Sequence, residues 1–269
     1  MEEKVEAIIK DVELYTGNYL GDAEKRYCTD GATDAKVFSL AKKYLIKITD
    51  LNTIKTQVEF FRQNHDAAFQ NLVCYSEDLG YLCFDFIDGE RFLDSEISPE
   101  ETIMQLSRIV GSYCRYPHDG YGFLNEEHVS WRAFLLDEIE YARRNIGEIS
   151  TEKVMTALDI AGRHNPEQFL MHGDFGSHNF LVEKGKIRVI DPMPLVGDYL
   201  YDFYFALLSN NKIFGELGAE AIYRYFSERD LDYRRALVVI ALYVRMSRAA
   251  IYDEKHLQAY IDLYKNIEV

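Results

Sequence analysis

HGDFGSHNFLVEKGKIRVID, residues 172 to 191, places polar side chains at both ends of a predicted β-hairpin. Two runs with the alternating hydrophobic character of strands flank the turn residues Glu183-Lys184-Gly185. Asp174 precedes the first run, Asn179 begins it and Asp191 ends the second. Because antiparallel strands return the chain to the same end, we expect these three side chains to converge.

The three side chains supply oxygen atoms, which are the ligands that Mg²⁺ prefers when it also binds substrate phosphates. Phosphoryl transfer requires a protein mainly to position the acceptor and to neutralise charge on the transferring group. We therefore predict that Asp174 orients an acceptor hydroxyl, and that Asn179 and Asp191 hold the Mg²⁺ of a bound nucleoside triphosphate. A solvated turn aspartate is the alternative interpretation of Asp174.

The chain before this hairpin is predicted to form a small antiparallel sheet with two helices. Val5, Ile8, Ile9 and Val12 have helical spacing, and a second helix is predicted from about Asn52. The five predicted strands are Lys25 to Cys28, Lys36 to Leu40, Tyr44 to Ile48, Leu72 to Ser76 and Tyr81 to Phe86.

A lobe boundary is predicted at Ile87-Asp88-Gly89-Glu90, because helical patterns dominate beyond it. The sequence thus predicts an α+β fold with a sheet lobe at residues 1–88, a mainly helical lobe at residues 89–269 and a cleft between them. The predicted helices of the second lobe are Pro99 to Tyr113, Trp131 to Asn145 and Phe203 to Ser209, the last beginning at Asp202.

The composition favours a soluble protein of the cytoplasm, because the first ten residues lack the features of a secretory signal. Lys and Arg total 30 against 45 Asp and Glu, and the formal charge of −15 argues against nucleic acid or an anionic membrane as partner. The charge favours a cationic partner, although acidity that only maintains solubility is the alternative interpretation. The longest apolar run, Ala236 to Val244, is too short to span a membrane and is predicted to be a core helix. Four cysteines without a CxxC pair indicate neither a zinc site nor a disulfide framework.

Three elements of this chain resemble the aminoglycoside phosphotransferase and choline kinase family, whose members have a two-lobed, protein-kinase-like fold. His172 to Asn179 is similar to the family's HGDxxxxN catalytic loop. Ile190-Asp191 is similar to its metal-binding segment, and Gly197-Asp198 followed by Asp202 is similar to its GDxxxD element. Because the three elements recur in order, the match is specific.

The resemblance also implies residues that contact the nucleotide. Gly31 lies in a segment similar to the nucleotide-covering hairpin, and Lys47 lies in a strand similar to the one that carries the phosphate-binding lysine. Glu59, on the following helix, is then expected to form an ion pair that orients Lys47. Asp85 and Ile87 match the hinge positions whose backbone groups bind adenine.

The resemblance gives supporting roles to His172 and Asp198. His172 is expected to pack beneath the loop and to bond to the backbone, with proton transfer as the alternative. Asp198 is expected to cap a helix or to brace the catalytic loop. Pro192 has no N–H and a fixed φ, so an activation-loop switch is not expected after Asp191.

The motif HGDFGSHN, together with Tyr121-Gly122-Phe123 and Ser130 to Leu135, most resembles the hygromycin phosphotransferase branch. The resemblance therefore implies transfer of the γ-phosphate of ATP or GTP, with Mg²⁺, to a hydroxyl of a small acceptor such as an aminoglycoside. A metabolic kinase for choline, an amino alcohol or a sugar amine is the first alternative, because the same loop serves these acceptors. A nucleotide-binding pseudokinase that senses a ligand is the second.

Overall fold

The computed structural model describes residues 2–27, 36–147, 149–209, 225–252 and 254–268. A five-stranded antiparallel sheet forms early in the chain, and helices dominate the part that follows residue 98. This arrangement confirms the predicted α+β fold, with a sheet lobe followed by a mainly helical lobe. The division at residue 88 stays a prediction.

The first helix packs on the five-stranded sheet. Helix α1 (Glu2–Thr16) buries the predicted apolar stripe in one cluster with sheet residues that include Phe38 and Ile46. All five predicted strands are present, with Cys28 outside the described residues. In chain order they are β1 (Lys25–Tyr27), β2 (Lys36–Leu40), β3 (Tyr44–Ile48), β4 (Leu72–Ser76) and β5 (Tyr81–Asp85). In the sheet they lie in the order β1-β2-β3-β5-β4.

Helix α2 (Leu51–Gln63) follows β3 and begins at a side-chain cap. Asp50 Oδ1 accepts a hydrogen bond from the backbone N–H of Thr53 at 3.0 Å, which satisfies one of the unpaired donors of the first turn. The buried face of the helix contains Ile54, Val58 and Phe60, and also one amide, Gln57. A polar side chain within an apolar stripe needs a partner in the interior, and Asp191 and Pro192 O provide it.

The predicted hairpin is the centre of a second, three-stranded sheet with the order β11-β10-β6. Its strands are β6 (Glu90–Arg91), β10 (Phe180–Glu183) and β11 (Lys186–Val189). The backbone N–H of Val189 donates to Ala68 O at 2.7 Å, and that of Gln70 donates to Val189 O at 2.9 Å. A segment between α2 and β4 therefore covers the outer edge of β11.

A third sheet, with the order β8-β7-β12-β9, leads into the catalytic loop. Its strands are β7 (Tyr121–Phe123), β8 (Glu126–His128), β9 (Phe169–Met171) and β12 (Leu195–Gly197). β9 ends at Met171, directly before His172, and pairs with β12, directly before Asp198. Because this pairing is antiparallel, with Leu195 opposite Met171 and Gly197 opposite Phe169, His172 and Asp198 leave the strand pair at opposite ends.

The remaining helices surround one long buried helix. α7 contains the run Ala236 to Val244, which is buried throughout and confirms the predicted core helix. No helix in the described ranges is both long and apolar enough to cross a membrane. The helices are α3 (Pro99–Gly111), α4 (Trp131–Ile146), α5 (Glu152–Ala161), α6 (Tyr199–Leu208), α7 (Leu231–Tyr252) and α8 (Glu254–Asn266).

The predicted start of the helix at Asp202 was wrong. α6 begins at Tyr199, and Asp198 is its N-cap, accepting a hydrogen bond from the backbone N–H of Leu200 at 3.0 Å. Almost every residue of α6 is buried, so the sequence carries no amphipathic period that would locate the first turn. Asp202 instead lies inside the helix.

Candidate active site

The loop after β9 is fixed by one glycine and one buried histidine. Gly173 has φ +78°, and a Cβ at this position would lie 1.9 Å from Met193 O, so only glycine fits. His172 is fully buried, and its Nε2 donates to Ile190 O at 2.9 Å. Burial lowers the pKa of His172 to about 4, so the imidazole is neutral and links the loop to the end of the hairpin.

Asp174 is partly exposed, with 29% of its side chain accessible, and two side chains hold one of its oxygens. His178 Nε2 lies 3.0 Å and Asn179 Nδ2 lies 3.1 Å from Asp174 Oδ2. Burial acts to raise the pKa of Asp174, but the hydrogen bond from His178 and nearby positive charges outweigh it, and the pKa falls to about 2. The carboxylate is therefore ionised and held in one orientation.

Asn179 and Asp191 converge, as the antiparallel hairpin predicted. The backbone N–H of Ile190 donates to Asn179 O at 3.0 Å, which places the two ends of the hairpin side by side. Asp191 has φ +57°, an uncommon conformation outside glycine that concentrates at functional sites. Asn179 Oδ1 and Asp191 Oδ2 make no hydrogen bond with any described residue.

These two open oxygens fit Mg²⁺, which takes few protein ligands and completes its shell with phosphates and water. Within the described ranges, no group of three or more His, Cys, Asp and Glu side chains is arranged to hold a metal. A site of one amide, one carboxylate and substrate phosphates needs no such group, and its oxygen ligands do not suit zinc.

The other oxygen of Asp191 is held from the sheet lobe. Lys47 is 8% exposed, and its ammonium forms an ion pair with Asp191 Oδ1. Gln57 Nε2 donates to the same oxygen at 3.0 Å and to Pro192 O at 2.7 Å. Gly31, the other residue predicted to lie over the phosphates, falls outside the described residues.

The predicted ion pair between Glu59 and Lys47 was wrong. Glu59 Oε1 accepts hydrogen bonds from Gln63 Nε2 at 3.0 Å and from Tyr116 OH at 3.3 Å. Residues two apart on an α-helix point about 200° away from each other, so Gln57 and Glu59 cannot face the same partner. Gln57 faces the cleft, and Lys47 pairs with Asp191 instead.

The segment after β5 leaves one buried backbone donor open. Asp85 O accepts a hydrogen bond from Gln70 Nε2 at 2.9 Å, and the N–H of Phe86 donates to Lys43 O at 2.9 Å. Ile87 is buried, and its N–H makes no hydrogen bond within the described part of the chain. A buried N–H without a partner is rare, so a ligand acceptor at Ile87 would complete this segment.

A scan against protein-family models finds the phosphotransferase enzyme family APH at residues 74–237, more than half of the chain. The chain belongs to this family. The predicted family and enzyme class, a phosphotransferase, are thereby confirmed. No match was found among curated proteins.

Solved structures similar to the phosphotransferase support the fold. Aminoglycoside phosphotransferase APH(4)-Ia has a TM-score of 0.65 at 18% identity, with all of both chains covered. A thermostable mutant of that protein, in a ternary complex with AMP-PNP and hygromycin B, has a TM-score of 0.61 at 19% identity over 96% of this chain and 97% of the other. A putative fructosamine-3-kinase from Thermobifida fusca YX-ER1 has a TM-score of 0.62 at 13% identity, with the same two coverages.

Beneath the loop of the phosphotransferase, two buried aspartates have separate functions. Asp202 Oδ2 accepts from the backbone N–H of Gly173 at 3.1 Å and from Tyr113 OH at 2.9 Å. Burial raises the pKa of Asp202 to about 7. Asp198 bonds to Tyr233 OH at 2.9 Å and to Arg229 at 2.5 Å, and it also caps α6. Asp202 therefore braces the catalytic loop directly, whereas Asp198 anchors the helix that carries Asp202.

Sequence reasoning missed three side chains of this site: Gln57, His178 and Asp202. Gln57 carried a usable signal, since it is a polar residue at a position of α2 that shares the apolar stripe with Ile54 and Val58. Asp202 was noted as part of the GDxxxD element but was placed at a helix start. His178 had no signal of its own, because its importance comes only from its 3.0 Å contact with Asp174.

Proposed function

We propose that the phosphotransferase transfers the γ-phosphoryl group of ATP to a hydroxyl of a small polar molecule. The observation that carries this proposal is the ionised, two-donor carboxylate of Asp174 beside the open oxygens of Asn179 and Asp191. Positioning and charge neutralisation supply most of the acceleration in phosphoryl transfer, and this arrangement offers both.

Each side chain then has one role. Asp174 accepts a hydrogen bond from the acceptor hydroxyl and aims it at the γ-phosphorus. The acceptor oxygen bonds to phosphorus, the bond from phosphorus to the bridging oxygen of ADP breaks, and the hydroxyl proton leaves through Asp174. Asn179 Oδ1 and Asp191 Oδ2 would hold Mg²⁺, which when bound supplies charge neutralisation to the triphosphate. Lys47 orients Asp191 and contacts the phosphates.

ATP is the proposed donor because similar structures were solved with AMP-PNP or ADP, and GTP is the second candidate. The adenine would bond to Asp85 O and to the open N–H of Ile87 at the junction of the proposed lobes 1–88 and 89–269. Gly31 is proposed to cover the phosphates by its resemblance to the family's hairpin. We also propose a cytoplasmic location, where ATP and Mg²⁺ are plentiful.

Two classes of acceptor are supported by different observations. An aminoglycoside-like acceptor is supported by the similar structures of aminoglycoside phosphotransferases and by the net charge of −15, which attracts polycations. A metabolic acceptor, such as choline, an amino alcohol or a sugar amine, is supported by the similar fructosamine-3-kinase structure. A sensing pseudokinase would bind nucleotide without turnover.

The test is transfer of label from γ-labelled ATP to aminoglycosides, including hygromycin B, and to amino alcohols, with Asp174→Ala as the control. Labelled product that disappears in the variant would support the proposal. Nucleotide binding without hydrolysis, and without transfer to any of these compounds or to the small molecules of a cell extract, would refute it in favour of the pseudokinase.

A further inference from the structure

Two arginines of α7, Arg245 and Arg248, have no hydrogen-bond or ion-pair partner among the described residues. They are three residues apart and therefore lie on the same face of the helix, and both side chains are partly buried. The Nε atoms of both are buried without a hydrogen bond. In the part of the chain that the structure describes, neither guanidinium forms a hydrogen bond or an ion pair.

Aromatic rings hold the two guanidinium groups in place. Arg245 Cζ lies 5.8 Å from the ring centroids of Phe205 and Tyr260, and Arg248 Cζ lies 5.8 Å from that of Tyr141. Cation–π contacts use the faces of a guanidinium and leave its N–H edges without acceptors. The guanidinium groups of Arg245 and Arg248 thus lie beside aromatic rings, and their Nε–H groups have no acceptor among the described residues.

The arginines border the catalytic loop. A Cβ added at Gly176 would lie 3.7 Å from Phe205 Cε1, so the ring that lies beside Arg245 is also beside the loop two residues after Asp174. The charge of Arg248 contributes to the lowered pKa of Asp174. Arg248 thus lies close enough to Asp174 to act on its charge, and Arg245 is near the same loop through Phe205.

One carboxylate lies close enough to Arg248 to interact with its charge, but it forms no ion pair with it. Glu138 on α4 is close enough for the charge of Arg248 to act on its pKa, which burial raises. Glu138 Oε2 accepts a hydrogen bond from Tyr201 OH at 3.2 Å, and no ion pair within 4 Å joins it to Arg248. A buried donor without a partner costs about 1–3 kcal/mol, and more when it is charged, so a missing anion is the simplest completion.

We propose that Arg245 and Arg248 bind an anionic group of the acceptor, a carboxylate or a phosphate ester, while its hydroxyl faces Asp174. This inference rests on the proposed function and specifies its substrate class. Guanidinium edges match the two oxygens of such groups through paired hydrogen bonds. The acceptor is then a hydroxy acid or a phosphorylated alcohol, and a purely polycationic acceptor would place positive charge against both arginines.

The first experiment does not require the acceptor to be known. A deproteinised cell extract is separated on an anion-exchange resin, and the retained and flow-through fractions are incubated with the phosphotransferase, Mg²⁺ and γ-labelled ATP. We expect Asp174-dependent labelling of small molecules in the retained fraction. Prior treatment of that fraction with alkaline phosphatase separates the two sources, because it removes phosphate esters and leaves carboxylates.

The second experiment uses variants with matched charge loss. Arg245→Gln and Arg248→Gln should each lower kcat/KM for the retained acceptor by at least about tenfold, as expected for loss of a charged hydrogen bond. Arg248→Lys keeps the charge but lacks the paired donors, so its kcat/KM should lie between that of the Gln variants and that of the unaltered protein. Arg143→Gln, an exposed α4 residue paired with Glu140 at 2.7 Å, is the control and should change nothing.

The Mg²⁺-ATP KM should be the same in all variants, and a cooperative thermal unfolding transition shows that each variant is folded. Labelling confined to the flow-through fraction, or to hygromycin B or choline, would overturn this inference and leave the proposed function standing. Equal activity of the arginine variants and Arg143→Gln on a retained acceptor would also overturn it. Absence of Asp174-dependent labelling in every fraction would overturn the proposed function and this inference together.

Discussion

Gln57 Nε2 lies 3.0 Å from Asp191 Oδ1, and the same amide nitrogen donates to Pro192 O at 2.7 Å. One side chain of α2 therefore fixes both the carboxylate and the backbone of the proposed metal-binding segment. Since Lys47 binds the same oxygen, Asp191 is left with one oxygen, Oδ2, for a ligand. A glutamate in the place of Gln57 would have repelled the Asp191 carboxylate, whereas an amide can donate a hydrogen bond to it.

Replacement of Gln57 by Ala is expected to lower the free energy of unfolding by about 1–3 kcal/mol, because a buried carbonyl and a carboxylate lose their donor. The affinity for Mg²⁺-ATP should fall as well, since Asp191 is less well oriented. Urea unfolding and nucleotide titration measure the two effects. Glu59→Gln is the matched control on the same helix. If Glu59→Gln lost more nucleotide affinity than Gln57→Ala, the predicted Lys47–Glu59 ion pair would be restored.

Asp174→Ala is expected to lower kcat by about 10²–10⁴-fold while Mg²⁺-ATP binding stays near that of the unaltered protein. Asp191→Ala should weaken Mg²⁺-dependent nucleotide binding in addition, because it removes a proposed metal ligand. Single-turnover kinetics and calorimetric titration with and without Mg²⁺ separate these outcomes. If both variants lost binding and turnover equally, the assigned roles would be incorrect.

His178→Ala should reduce kcat about tenfold, because Asp174 keeps the donor Asn179 but loses the one at 3.0 Å. The KM for ATP should not change, since His178 is not proposed to contact nucleotide. His178→Asn, which retains an N–H donor, should recover part of the rate. An unchanged kcat in the alanine variant would show that the imidazole contact is incidental.

Gly173→Ala should prevent normal assembly of the catalytic loop, because the added Cβ meets Met193 O at 1.9 Å in a left-handed conformation. Gly185→Ala is the matched control, with φ +73° and no atom within 4 Å of an added Cβ, so it carries only the backbone cost of roughly 1 kcal/mol. Thermal unfolding of both variants tests the difference. Similar unfolding temperatures would contradict the close approach at Gly173.

Asp202→Asn tests the raised pKa of Asp202, which is about 7 in the folded protein against an ordinary value of 3.8. Between these values the folded state holds the proton more tightly than the unfolded state, so wild-type stability falls as pH rises from 4 to 7. The stability of Asp202→Asn minus that of wild type should therefore increase over this window. The pKa difference of about three units, at roughly 1.4 kcal/mol per unit, limits this increase in the stability difference to on the order of 4 kcal/mol.

Urea unfolding of both proteins at several pH values provides the measurement. His172 acts in the opposite direction, because its lowered pKa of about 4 makes stability rise between about pH 4 and 6.5. His172 is present in both proteins, so the difference removes its contribution. A difference that does not vary with pH would mean that Asp202 is ionised throughout.

The sequence was sufficient for the sheet lobe and for the catalytic hairpin, because both depend on local patterns. Period-two alternation located strands such as Tyr44–Ile48, and the antiparallel return predicted the meeting of Asn179 and Asp191. The covalent order of the chain fixes these relationships. Little tertiary information is needed for them.

The predictions that were wrong concern residues whose positions depend on tertiary packing. Glu59 and Gln57 occupy different faces of α2, and only the position of the cleft tells which face matters. The start of α6 was misplaced because a helix buried on all sides has no polar face. Arg245 and Arg248 are ordinary in sequence, since only the structure shows that their Nε–H groups have no acceptor in the part of the chain that it describes.

The two backbone hydrogen bonds of Val189, to Ala68 and Gln70, have a mechanical consequence. They attach a segment that follows α2 to the hairpin that carries Asn179 and Asp191 on its ends. Wide separation of these segments would expose the edge of β11, so we expect any opening of the proposed nucleotide cleft to pivot about this short β-bridge. ADP would then escape by a rotation with its axis at Val189, and stiffening of that bridge would slow product release without altering the chemical step.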